Sequence, residues 1–357
     1  MIRRGSIALF IPHRGCPHQC SFCDQRAISG ASPVTPERVR QELQAAFSRP
    51  QSPQSEIAFF GGSFTCLPES EMVALLREAM PYLEKGMVSG IRCSTRPDGI
   101  DRRRVELLRQ FGVTTVELGA QSMDDRVLAL NGRGHTTVQT VEAVELLRQV
   151  GLQVGLQMMV GMPFDTQAGA MRTARRIAAL GPDGVRIYPA VVLEGTRMAR
   201  WYRQGIYTPL TLEQAVALCG PMIALFERKG IAIWRVGLHD TPSLREGLVA
   251  GPFHPAFKEY CLSFLWRQRV DPLLGRFPLG EALLLQVPPR EHSAAVGQHR
   301  ENLRHWAAAG YPVTVRSEAE LTEGFQLTPL SSAAGCDKMK ERAASPETAQ
   351  KGSKTCF

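Results

Sequence analysis

The chain has 357 residues, a formal net charge of +8 and nine cysteines. This length excludes a mini-domain stapled by disulfides, and an odd number of cysteines, three of them crowded together, points to reduced thiols in a cytoplasmic protein, some serving a metal. No apolar run is long enough for a membrane helix, residues 1–10 are too short and strand-like for a signal peptide, and the basic balance mildly favours an acidic partner such as nucleic acid.

Short apolar runs at 6–12, 56–62, 91–95, 115–119, 153–161 and 185–190 read as strands, with a seventh expected over 231–236. Helical patterns separate them. Thr35 reads as an N-cap followed by Pro36, with Val39, Leu43, Ala46 and Phe47 on one face, and Asp101 starts another helix in the same way. Further helices are expected over 68–83, 138–150, 167–180 and 211–229. This alternation gives an α/β fold, and six or seven βα units are too few for an eight-unit barrel. The expectation is an incompletely closed parallel (β/α)6-type barrel whose chemistry lies where strands end and loops begin.

After Asp240 the texture changes to Gly, Pro and His, followed by an expected helix (255–269), strand (281–287), helix (293–309) and strand (311–316). The expected division is a partial barrel over 1–240, a small C-terminal α+β extension over 241–330 and a disordered tail over 331–357.

Directly after the first strand the chain reads Gly15-Cys16-Pro17-His18-Gln19-Cys20-Ser21-Phe22-Cys23. Thiolates are soft ligands for zinc or for iron–sulfur clusters. A structural zinc site needs four protein ligands, and no second pair of close Cys or His residues supplies the fourth, although His13, His18 or a distant cysteine could. Three cysteines suit a 4Fe-4S cluster with one iron left open. Cys66, Cys93, Cys219, Cys261, Cys336 and Cys356 are scattered singly, the first four reading as small buried hydrophobes.

This CxxxCxxC spacing, with Phe22 before the last cysteine, resembles the radical S-adenosylmethionine (SAM) superfamily. The resemblance implies that Cys16, Cys20 and Cys23 hold a 4Fe-4S cluster, that Phe22 shields it, and that SAM chelates the open iron and is cleaved to a 5′-deoxyadenosyl radical. Gly61-Gly62-Ser63, after the second strand, resembles the glycine-rich motif that takes the SAM amino group. Ser94, Gln121, Arg133 and Gln157 match SAM-contacting positions of the oxygen-independent coproporphyrinogen oxidases and their relatives, although that branch has acidic residues where Ser94 and Gln157 stand. Met158 to Pro163 resembles the adenine wall, and Tyr188 is placed to line the substrate side or cap the core.

The ordered set GCPHQCSFC, FFGGSFT, STRPD, ELGAQS, NGRGH, QMMVGMP and RIYP is most similar to the radical part of the Elongator catalytic subunit, over residues 9 to about 240. That family modifies the wobble uridine of tRNA with an acetyl group from acetyl-CoA. Residues 241–330 are too few for the acetyltransferase-like domain of such subunits, so a short bacterial Elongator-like protein is expected. Implied partners are tRNA and a reducing electron donor such as flavodoxin or ferredoxin. Two other functions fit parts of the sequence: a radical SAM enzyme on a small molecule such as a tetrapyrrole, and a non-enzymatic cysteine-metal scaffold.

Overall fold

The computed structural model describes residues 5–11, 16–23 and 34–331. His13, Cys336, Cys356 and the expected tail beyond Ser331 lie outside the described residues. The chain divides into two compact units, Met1–Lys258 and Glu259–Phe357.

Seven parallel strands form the first unit's sheet: β1 (Ser6–Ile11), β2 (Glu56–Gly61), β3 (Gly90–Thr95), β4 (Val113–Gln121), β5 (Gln153–Val160), β6 (Gly184–Pro189) and β8 (Ala232–Val236). They pair in chain order, with β1 at one edge and β8 at the other, so the curled sheet stays open. A short β7 (Val192–Leu193) pairs antiparallel with β9 (Leu248–Ala250) instead.

The helices begin where capping chemistry allows. Thr35 accepts the Arg38 N–H at the start of α1 (Pro36–Phe47), and Asp101 accepts the Arg104 N–H at the start of α3 (Arg102–Gln110), after α2 (Glu69–Glu84). The α4 helix (Asp125–Leu130) is capped by Asp124. Reciprocal Thr–Gln capping boxes open α5 (Thr137–Gln149) and α8 (Leu212–Arg228). Between them lie α6 (Gln167–Leu180) and α7 (Arg197–Arg203), and α9 (Pro242–Gly247) follows β8. Leu43, Ile57, Phe59, Leu76, Ile91, Val116, Leu118 and Phe226 are fully buried, each worth roughly 1.5–3 kcal/mol of transfer free energy.

Every βα connection returns the chain to the same end of the sheet, so the loops after the strands gather there. Among the described residues no helix is long and apolar enough to cross a membrane.

The second unit is built on a three-stranded sheet in which β10 (Leu283–Val287) lies between a parallel β11 (Val313–Ser317) and an antiparallel β12 (Gln326–Pro329). Its core holds Trp266, from α10 (Phe257–Leu274), with Leu285 and Trp306. Trp306 donates its Nε1–H to Asp271 at 2.8 Å, which satisfies the indole polar group inside the core.

The single helix expected over 293–309 is broken. It forms α11 (His292–Val296) and α12 (Glu301–Ala308), separated by Gly297 at φ +81°, with His299 and Arg300 also left-handed. Glycine at that position supplies a conformation no helix interior contains.

Candidate active site

Residues 16–23 carry the three clustered cysteines, with Cys20 buried and Cys16 and Cys23 half-buried. Ser21 fixes this loop. Its N–H donates to the Asn131 carbonyl at 2.9 Å, its hydroxyl donates to Asn131 Oδ1 at 2.5 Å, and its carbonyl accepts the Met198 N–H at 2.8 Å. Asn131 in turn donates Nδ2 to the carbonyls of Val127 and Pro163, both at 2.9 Å. The loop is thereby tied to α4, α7 and the turn after β5.

The segment 131–135 approaches the cysteine loop closely because two glycines let it. A Cβ on Gly132 would meet the Gln19 carbonyl at 2.9 Å, and one on Gly134 would overlap the His18 ring. Arg133 lies between them. Its Nη1 donates to Cys20 Sγ at 3.4 Å, its Nη2 donates to the Gly119 carbonyl at 2.6 Å, and its own carbonyl accepts from Arg96. Its Nε is buried with no hydrogen-bond partner among the described residues.

Among the described residues no three His, Cys, Asp or Glu side chains are drawn together as a closed metal cage. The fit to a cluster comes from chemistry: three soft thiols on one loop, beside a guanidinium with a buried donor to spare. Cation and orphan donor both suit an anionic iron–sulfur group. Phe22, within this loop, packs against two apolar clusters, one of Val127, Met159, Met162 and Ala190 and one of Val192, Met198, Ala199 and Tyr207.

Gly61 adopts φ +113°, and a Cβ there would meet the Ile11 carbonyl at 2.8 Å and the Phe10 ring at 2.9 Å. Gly61 and Gly62 are half-buried, whereas Ser63 is fully buried. The Ser63 hydroxyl accepts the Arg96 N–H at 3.1 Å and sits 2.9 Å from Thr95 Oγ1 and 3.2 Å from Cys66 Sγ. Those contacts occupy the hydroxyl in the fold.

Gln121 has φ +64° at a register shift that ends β4, a left-handed conformation that non-glycine residues seldom adopt. Its Oε1 accepts from Gln157 Nε2 at 3.3 Å. Gly119 leaves room for this arrangement, since a Cβ there would lie 2.9 Å from the Gln121 amide and 3.4 Å from the Arg133 guanidinium. Gln121, Arg133 and Gln157 thus converge at the ends of β4 and β5. Ser94 is half-buried on β3, paired in register with Glu117.

An ionic ladder that motif spacing did not reveal crosses the sheet. Glu56 on β2 accepts from Arg92 on β3, whose Nη1 donates to Glu117 on β4 at 2.9 Å. Glu117 also accepts from Arg186 on β6, at 2.9 Å for Nη2. Arg186 in turn lies 3.4 Å from the Tyr188 hydroxyl. Burial works against the charge on Arg186, but Glu117 outweighs it and holds the guanidinium above its ordinary range. Trp234 stacks under Arg92 at 4.4 Å and fills the space that side chains at Gly155 and Gly184 would take. The available signal was a charged residue inside each of the apolar runs containing Arg92, Glu117 and Arg186.

Sequence profiles described as the radical SAM superfamily and the radical SAM C-terminal domain match residues 10–177 and 182–265. A tRNA uridine(34) acetyltransferase from Dehalococcoides mccartyi is 37% identical over 232 residues, covering 54% of this chain and 50% of that protein. The human Elongator complex protein 3 is 26% identical over 264 residues, covering 60% of this chain and 48% of its own length. The chain therefore spans about half the length of these relatives. Among solved structures, the archaeal Elp3 of Methanocaldococcus infernus shares the fold at a TM-score of 0.59 and 20% identity, covering 75% of this chain and 63% of that one.

Proposed function

The chain belongs to the radical SAM superfamily and is an enzyme of that family, and from that premise we propose that Cys16, Cys20 and Cys23 hold a 4Fe-4S cluster used on a tRNA substrate. Reductive cleavage of SAM to a 5′-deoxyadenosyl radical is the chemistry such a cluster supplies when bound. The observation that carries this reading is the clamp formed by Arg133, which reaches Cys20 with one nitrogen and the end of β4 with another. It sets the cysteine loop against Gln121 and Gln157, whose amides are suited to the polar parts of SAM.

In this reading Gly61 and Gly62 offer backbone to the methionine end of SAM, Ser63 holds that turn from beneath, and Ser94 faces the ligand from β3. Phe22 and Met159 keep water from the cluster loop, which protects a reactive radical from quenching. An external one-electron donor of the flavodoxin or ferredoxin kind completes the requirement. tRNA as substrate is supported by the tRNA-modifying relatives and by the net charge of +8.

The test is nucleoside analysis of bulk tRNA from cells lacking this chain. A modified nucleoside that disappears, and returns with the wild-type chain but not with Cys20→Ala, supports the proposal. An unchanged tRNA nucleoside profile contradicts the tRNA assignment.

A further inference from the structure

Where β6 pairs with β8 the register slips by one residue: Val185 pairs with Ile233, but Arg186 pairs with Arg235. Trp234 is the extra residue of this bulge. Register partners in a parallel ladder share a face, so Arg235 stands on the same face as Arg186. Trp234, lying over Gly155 and Gly184 against Arg92, is on that face as well. Two consecutive side chains of β8 are thereby turned onto the inner face, where regular alternation would place one. The same register row continues to Gln157 on β5 and Gly119 on β4, the carbonyl of which Arg133 holds.

Arg235 differs from the other two arginines of this face. Arg92 and Arg186 are paired with Glu56 and Glu117, whereas among the described residues no carboxylate forms an ion pair with Arg235. Its Nε and Nη2 donate to the carbonyls of Gly237 and Leu238 at 2.9 and 3.0 Å, which fixes the guanidinium without neutralising it. The inner face thus carries two carboxylates against three guanidinium groups. Next to it His239 has a lowered pKa, from desolvation first and then from Arg235 and Arg186, with Glu117 opposing. A half-buried, oriented and uncompensated guanidinium is the usual receptor for a planar oxyanion.

We propose that Arg235, turned inward by the bulge at Trp234, binds an oxyanion, a carboxylate or a phosphate, carried by the substrate. Tyr188 on β6 and His239, just after β8, lie within electrostatic reach of it. The proposal rests on the function proposed for this chain and deepens it, because it takes the inner face as the place where substrate meets the radical. Its test needs neither iron nor SAM, so its failure is separable from a failure of SAM cleavage.

The experiment titrates inorganic phosphate and, separately, acetate into the full chain at constant ionic strength. Tryptophan fluorescence reports the neighbouring Trp234, and Arg235→Gln, Arg235→Lys and Arg228→Gln are run alongside the wild type. Expected is a saturable response in the wild type, weakened about tenfold or more in Arg235→Gln and largely kept in Arg235→Lys and in the surface control Arg228→Gln. A response to phosphate alone identifies a phosphate-bearing substrate, and one to acetate alone a carboxylate. No saturable response to either anion, or the same response in Arg235→Gln, overturns the proposal. Hydrogen exchange over residues 232–240 of the wild type tests the same site without a variant: slowing by the anion supports it, and unchanged exchange overturns it.

Discussion

Arg133 touches Cys20 Sγ at 3.4 Å with one nitrogen and the Gly119 carbonyl at 2.6 Å with the other, so one side chain links the cysteine loop to the end of β4. Lysine keeps the charge but cannot span both partners. Arg133→Lys is expected to lower SAM cleavage roughly thirtyfold, corresponding to about 2 kcal/mol for a lost charge-assisted hydrogen bond. Iron content per chain and the rate of 5′-deoxyadenosine formation measure this. Rates equal to wild type would remove Arg133 from the site.

Glu117 is 5% exposed and accepts from two arginines that are themselves 10% and 14% exposed. Glu117→Gln leaves the buried Arg186 without its carboxylate and Arg92 with Glu56 alone. Breaking a buried pair costs about 3–5 kcal/mol, and urea unfolding of the variant is expected to show a loss of that size. A loss below about 1 kcal/mol would mean that water already screens the ladder.

Gln121 is held at φ +64°. Glycine in place of an ordinary residue costs about 1 kcal/mol, but here it relieves a left-handed conformation worth a similar amount. Gln121→Gly is therefore expected to melt at or above the wild-type temperature while binding SAM more weakly, as read by thermal melting and calorimetry. A variant less stable yet equal in SAM affinity would assign Gln121 to the fold alone.

His135 is buried, and its pKa is pushed down to about 3 by burial first and then by Arg133, with Asp98 opposing. In the unfolded chain the ring takes up a proton near pH 6.5. Between about pH 6.5 and pH 3 the unfolded state holds more protons, so stability falls as pH falls through that window. His135→Gln is expected to flatten the acid side of the stability profile measured by urea unfolding at stepped pH, and an unchanged slope would contradict this assignment.

Much of the fold was legible because each βα unit carries its own local signals. Thr35 and Asp101 cap the helices they were expected to start, and the apolar runs fall on the seven sheet strands. The broken helix at Gly297 was not legible, since its apolar pattern continues across a break set by backbone conformation. At the candidate site, Gln121, Arg133 and Gln157 lie near one another, and the left-handed backbone of Gln121 has no sequence signature in a glutamine. The ladder through Arg92, Glu117 and Arg186 joins residues far apart in the chain, so partner choice depended on strand order and register. Arg235 was hidden for a related reason: the bulge that turns it inward depends on pairing with β6.

SAM cleavage that depends on the three cysteines is tested by anaerobic reconstitution with iron and sulfide, reduction with SAM and tRNA present, and measurement of 5′-deoxyadenosine beside a Cys20→Ala control. The expected result is 5′-deoxyadenosine from the wild type and none above background from the variant. A wild type that takes up only zinc, or that loads iron and sulfide yet forms no 5′-deoxyadenosine under these conditions, would contradict a cluster role for Cys16, Cys20 and Cys23.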